Sequence, residues 1–173
     1  TNWLIDKCCS IPARDAVRMG YILPDEYKDL QNTDKKYSVK KTLTSMIHQG
    51  KVYGGVYVLF DIESANPEEF YKNPFNIDGV KPDAYKGMVL IDPNWITPEL
   101  SDANLTNPAS SSFYNPSFYR INNQLYHKSH LHIYIPYPVT NYLKPNYSYL
   151  GCSLPQRIME RVYGAERSAN EAP

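Results

Sequence analysis

Apolar positions along the chain fall into two spacings, and the two meet in one stretch. Between residues 38 and 63 the sequence SVKKTLTSMIHQGKVYGGVYVLFDIE places Val39, Leu43, Met46 and Ile47 at i, i+4, i+7 and i+8, the spacing of a single helical face. Ser38 is placed to cap this helix, because a hydroxyl accepts from an orphan first-turn amide, and Gly50 fits the left-handed residue just past its end. Residues 52–62 are β-branched and aromatic with apolar groups on both faces, a pattern that only a strand covered on both sides can bury. Gly54 and Gly55 inside that strand predict a bulge or a close approach by another backbone segment. They lack the Lys-Ser/Thr of a phosphate loop and the spacing of a dinucleotide fingerprint, so a nucleotide reading is discarded.

A second strong helix spans residues 153–170, with Ser153 as cap, Pro155 in the first turn, and a stripe of Leu154, Ile158, Val162, Ala165 and Ala169. A third begins the chain over residues 2–11, capped by Asn2, with Leu4, Cys8 and Ile11 on one side. Pro12 interrupts it, so residues 13–19 form a kinked continuation or a second short helix that stops at Gly20. Residues 21–23 read as a short strand ended by Pro24, residues 25–30 as one helical turn with its acids at the start, and residues 31–37 as a polar connection.

Beyond the central strand, residues 64–87 are an irregular excursion rich in Asn, Pro, Asp and Gly, in which Glu68 and Glu69 form a solvated face. A strand at residues 88–91 is closed by Asp92-Pro93. Trp95 and Ile96 pack before Thr97-Pro98 turns the chain, and residues 101–116 are loop. Residues 117–121 and 124–127 flank Asn122-Asn123, which tolerates the positive φ angles of a two-residue hairpin turn. A further strand at residues 131–135 is stopped by Pro136 and Pro138, and residues 139–149 make a tyrosine-rich loop. No internal repeat is visible. These elements give an α+β fold class, a mixed or antiparallel sheet packed with helices and carrying long irregular loops.

At 173 residues the chain has length for one domain with a real core and not for two large ones. No apolar run approaches the ~20 residues of a membrane span, and no secretory or transit segment is visible. The sequence begins at Thr1 rather than Met, and its last helix reads on to Pro173 without a capping glycine, the pattern expected of an excised fragment. Eighteen basic and 18 acidic side chains argue against a free-standing nucleic-acid binder that works by phosphate neutralisation, while leaving room for a local basic patch. Cys8, Cys9 and Cys152 lack the spacing of a zinc knuckle or a redox pair and read as buried free thiols. The real excess is tyrosine, 16 residues, suited either to interfaces or to a shallow core.

Candidate chemistry is sparse. His127, His130 and His132 are clustered, and on a strand His130 and His132 would share a face as two metal ligands do, but no third ligand lies near in sequence. The same pair could belong to a two-histidine phosphoesterase, yet His130-Leu131-His132 lacks the hydroxyl partner of a His-x-Thr/Ser motif, and His48 sits on a helix. Asp61, Glu63 and Asp92 near strand ends could pair as acid and base, or merely mark where polar residues leave the core. Arg14 and Arg18 share a helical face and read as solvated or bonded to nearby carboxylates. No serine has the flanking glycines of a nucleophile elbow, and no catalytic, cofactor-binding or metal residue is assigned.

Several segments, in order, resemble tailed-bacteriophage portal proteins: NWLIDKCCSIPARDAVRMGYIL, LTSMIHQGKVYGGVYVLFDIE, MVLIDPNWITP, PSFYRIN with HKSHLHIY, and GCSLPQRIMERVYGAERSANEAP. More narrowly they are similar to the phage-associated portal-like family long described as a domain of unknown function, some members of which are labelled as relatives of anti-defence (anti-CBASS-like) cyclic-oligonucleotide hydrolases of the two-histidine class. The resemblance covers nearly the whole chain as a single domain and implies a portal wing-like fold ending in a helix that leads toward an absent stem. It implies a structural virion protein, assembled in the bacterial host cytoplasm as a homo-oligomeric ring at the capsid vertex. Double-stranded DNA would pass through that ring during packaging and ejection, with the terminase motor, capsid and neck or tail proteins as partners and no membrane. No enzyme activity, cofactor or metal is implied. The alternative is a phosphodiesterase acting on cyclic nucleotides.

Overall fold

The computed structural model describes residues 2–171. Expectations that fall on Thr1 and on Pro173 lie outside them. The first helix, α1 (Trp3–Arg18), is capped by Asn2, whose side-chain oxygen accepts from the amides of Leu4 and Ile5. It runs unbroken through Pro12. The proline forfeits one backbone bond, but Cys9, Ala13 and Val17 form a buried i, i+4, i+8 row on the same helix, and this packing carries the helix past the defect. The buried face is therefore rotated from the expected Leu4, Cys8 and Ile11, and Ile11 is exposed. Gly20, at φ +67°, stops the helix as expected.

Residues 21–38 differ from the sequence reading except at the helical turn expected after Pro24. Residues 21–23 make no strand, because no second strand lies alongside to complete their hydrogen bonds, and Ile22 is 99% exposed. A 3-10 turn at Asp25–Tyr27 follows. The polar connection is in fact helix α2 (Leu30–Lys36), which buries no residue and so offers no amphipathic stripe to recognise. Ser38 joins α2 to α3 (Val39–Tyr53) in the left-handed conformation at φ +52°, and its hydroxyl caps nothing.

Helix α3 does not stop at Gly50. It continues to Tyr53, and Gly54 at φ +86° takes the left-handed terminal position. Gly50 serves packing instead: a Cβ there would lie 2.5 Å from the Tyr134 ring. The strand β1 (Val56–Ile62) is correspondingly shorter than expected at its start. It is the centre of an antiparallel sheet, flanked by β2 (Tyr85–Ile91) and β6 (Leu131–Tyr134) in the order β2-β1-β6. Tyr57 stands opposite Ile91 on one side and Ile133 on the other.

A second antiparallel sheet is made of β3 (Ile96–Glu99), β4 (Phe118–Ile121) and β5 (Gln124–His127), in that order. Thr97 and Pro98 lie within β3 rather than turning the chain, since Ile96 is buried and pairs with Ile121, whereas Trp95 is exposed. The β4–β5 turn is the expected one, with Asn122 and Asn123 at φ +46° and +68°. Inside the two excursions expected to be irregular lie short helices, α4 (Pro67–Lys72) and α5 (Asp102–Thr106). In α5 the buried Asn104 accepts from the Ser101 amide and donates to the carbonyls of Ser112 and Asn115, closing the loop on itself.

The last helix, α6 (Leu154–Glu171), starts as the sequence predicts: Ser153 Oγ accepts from the Gln156 amide while Gln156 Oε1 accepts from the Ser153 amide. Its stripe is buried only as far as Val162. There α6 contacts α1 and α3, and Asn2 Nδ2 donates to Glu166 Oε1.

Central strand β1 is covered on both sides. Tyr57 and Leu59 face the second sheet, in a core of Tyr57, Ile96, Tyr119, Leu131 and Leu150. Val56 and Val58, on the alternate face, turn toward α3, whose Gly50 touches the Tyr134 ring beside Val56. The fold is α+β with both sheets antiparallel.

Gly54→Ala would place a Cβ 2.1 Å from the Gly151 carbonyl oxygen in a left-handed residue, so urea unfolding should show a loss on the order of 3 kcal/mol, of which about 1–2 kcal/mol is the backbone penalty alone. Gly164→Ala, on α6 with nothing within 4 Å, should instead raise stability by about 0.5–1 kcal/mol. The Tyr57 and Tyr119 rings meet edge-on at 5.4 Å. Burial pushes the Tyr119 hydroxyl up to about 12 and the Tyr57 hydroxyl higher still. Both groups stay protonated in the fold where the unfolded chain has begun to ionise, so their stabilising contribution is complete below pH ~10 and is lost as pH rises through the folded values. Stability should therefore fall by about 1.4 kcal/mol per pH unit for each tyrosine above pH ~10, checked by alkaline denaturation alongside phenolate absorbance.

Candidate functional site

The fold sets His132 apart from the other two clustered histidines. A 3-10 turn at Lys128–His130 breaks the expected strand, so the alternation that would align His130 with His132 does not hold. His132 is exposed on the edge strand β6, opposite Val58. His130 is 1% exposed, enclosed by the rings of Phe70, Tyr71 and Phe75 at 5.0, 5.1 and 5.6 Å. Its Nε2 lies 2.8 Å from the Asn73 carbonyl oxygen, a pairing that requires Nε2 to carry the proton and leaves a lone pair on Nδ1. That Nδ1 is buried with no hydrogen-bond partner.

A metal at Nδ1 would need further nitrogen, sulfur or oxygen ligands where aromatic rings stand. Among the described residues no group of three or more His, Cys, Asp or Glu side chains could hold a metal ion.

What the cluster does is fasten the segment after α4 to the second sheet. Ser129 Oγ accepts from the Phe75 amide at 2.7 Å and lies 2.8 Å from His127 Nδ1. Burial, and then the neighbouring His130 and Lys128, lower the His127 pKa, which favours the neutral ring that can share that hydroxyl. Tyr71, from α4, reaches the irregularity in β1 between Asp61 and Ile62: its hydroxyl accepts from the Ile62 amide at 2.9 Å and donates to the Ile62 carbonyl at 3.1 Å. The ring thus satisfies backbone groups that the bulge removes from the ladder.

The carboxylates are not brought together. Asp61 stands opposite Gly87, while Tyr57 stands opposite Ile91 next to Asp92, so Asp61 and Asp92 are at opposite ends of the sheet, roughly 15 Å apart at the rise of a strand. Glu63 is engaged by Lys86 at 2.9 Å, and the hydrogen bond and charge of that lysine hold its carboxyl below its ordinary value. Asp92 accepts from the Asn94 amide.

Arg18 lies 3.7 Å from Asp15, the solvated pairing expected of it. His48 is 3.7 Å from Asp6 on α1. The three cysteines are free, and burial, followed by the adjacent Cys8, raises the Cys9 thiol, which disfavours the reactive thiolate.

Two neighbouring surface features carry the chemistry that the sequence reading missed. One is a groove of about 840 Å³ between α1, α2 and α3, walled by Ala16, Val17, Leu43 and Ile47 and edged by Lys35 and Lys41. The other is the segment that leaves its rim, where Met19, Tyr21, Ile22, Tyr27 and Leu30 are all exposed. The signal was present in the sequence as an apolar run at residues 21–23. It reads as a strand only until one asks what would pair with it.

For the histidines the expected behaviour is structural. His130→Ala should destabilise the protein by about 2–4 kcal/mol, through the cavity among three rings and the unpaired Asn73 carbonyl, whereas His132→Ala should change stability by less than about 0.5 kcal/mol. Thermal melts with and without added Zn²⁺ check the assignment: a zinc-dependent rise in Tm abolished by both substitutions would show a metal site after all.

No curated protein matches the chain. The family described as phage portal protein matches residues 1–173, its whole length. No helix among the described residues is long and apolar enough to cross a membrane. On that full-length match, the chain belongs to the phage portal protein family, whose role is structural.

Proposed function

We propose that this chain is the wing part of a portal ring, a structural virion component assembled in the host cytoplasm. The ring would form the conduit for double-stranded DNA during packaging and ejection at the capsid vertex. The observation that carries this reading is the family match over the entire chain. The architecture supports it in a second way. A mechanical role needs a body that does not deform, and β1 is sandwiched between a helix layer and a second sheet, with side-chain fasteners at its bulge and its loops.

In this reading the chain is a single domain and α6, whose stripe is uncovered beyond Val162, leads toward the stem. The terminase motor, the capsid and the neck or tail proteins are its partners. The reading needs no catalytic residue, cofactor or metal.

Negative-stain electron microscopy and light scattering on the chain and on its full gene product provide the test. Closed rings with a central channel are expected. A monodisperse monomer at the highest attainable concentration of both would overturn the reading.

A further inference from the structure

The groove between α1, α2 and α3 and the exposed segment beside it match each other in two independent respects. The first is apolar surface. The groove is walled by half-buried Leu43 and Ile47 with Val17 at its floor, and has about 840 Å³ to fill. Residues 21–30 present the complement, with Ile22 99% exposed and Tyr21, Tyr27 and Leu30 exposed about it. Contiguous uncovered apolar surface of this kind marks an interaction site.

The second respect is charge. Residues 21–30 carry Asp25, Glu26 and Asp29 against one cation, Lys28, itself tied to Asp25 at 2.6 Å. The groove is lined by Lys35, Lys40 and Lys41 against Asp34, and the shallower pocket beside it adds Arg14 and Arg18 against Asp15. An acidic apolar segment and a basic apolar groove are electrostatically complementary, which steers encounter and fixes orientation.

Within one chain neither feature satisfies the other. Tyr21 reaches the rim, but Ile22 touches nothing, and the left-handed turn at Gly20 carries the segment out of line with α1. Both partners of a matched contact are then present, uncovered, on the same polypeptide.

We propose that residues 21–30 of one copy dock in the α1–α2–α3 groove of a second copy, Ile22 filling the apolar floor and Glu26 and Asp29 meeting the lysines of the edge. Segment and groove are different surfaces, so the contact either repeats from copy to copy, closing as a ring if the rotation allows, or is exchanged reciprocally between two copies. Only that closure rests on the portal reading.

The test uses the whole chain. Ile22→Cys in one preparation and Lys41→Cys in another, mixed and mildly oxidised, should give a cross-linked pair whose linking peptide is identified by mass spectrometry. Wild type, with its three native cysteines, is the control. Ile22→Glu should weaken self-association about tenfold or more while leaving the thermal melt unchanged, since the side chain touches nothing in the single chain. Glu26→Lys and Lys41→Glu should each weaken association, and the two combined in one chain should restore it.

Rings that form unaltered in Ile22→Glu and give no cross-link would overturn the docking proposal and leave the portal reading standing. A closed two-subunit complex that does cross-link would do the reverse. Monomers at every concentration would overturn both.

Discussion

Everything in this fold depends on one place where backbone meets backbone with no room for a side chain. The Gly151 amide donates to the Gly54 carbonyl at 3.1 Å, the Gly151 carbonyl oxygen occupies the space a Cβ on Gly54 would take, and Leu150 lies against Gly55. On the other side of the same residue the Cys152 amide donates to the Tyr137 carbonyl at 3.0 Å, and a Cβ on Gly151 would lie 2.2 Å from that carbonyl oxygen. Three segments are clasped: the end of α3, the exit from β6, and the lead into α6. The clasp also delivers Leu150, 1% exposed, into the core between the sheets. Without it α6 would have no fixed origin, and its packing on α1 and α3 would have no register.

The polar residues that invite a chemical reading are spent on similar fastening. A buried imidazole with a free lone pair is a costly thing to keep, and the arrangement around His130 shows what it is kept for. Its Nε2 holds the Asn73 carbonyl while its faces and edges fill a box of three rings. Tyr71, in the same box, repairs the bulge in β1, and Asn104 ties a fifteen-residue excursion into a closed loop. Each of these side chains terminates hydrogen bonds that irregular backbone would otherwise leave unmade.

What was legible in the sequence was whatever a short window decides. Asn2 and Ser153 cap their helices as read, because a cap is a contact between residues two or three apart. The Asn122-Asn123 turn was equally local, and the two-sided burial of β1 followed from its composition. The errors lie where distant packing outvoted local preference. Gly50 reads as a helix stop, but the Tyr134 ring needs its missing side chain and the helix passes through. Pro12 reads as a break, but the buried row of Cys9, Ala13 and Val17 holds. The opposite failure produced a strand at residues 21–23 and a loop at α2, where periodicity carried no information. An unpaired apolar run looks like a strand, and a helix with no buried face looks like a linker.

Net charge was the least informative quantity of all, and the reason is physical rather than accidental. Equal numbers of acids and bases describe the far field, in which a chain of zero formal charge neither attracts nor repels its own copies. Contact is decided within about a Debye length, roughly 8–10 Å at ordinary salt, and over that distance the charges are sorted. Lysines edge the groove and acids follow the apolar segment at its mouth. A surface that is neutral in sum and polar in arrangement permits close approach without long-range repulsion, then rewards one orientation over the rest. That combination is what the proposed docking of one copy on another requires.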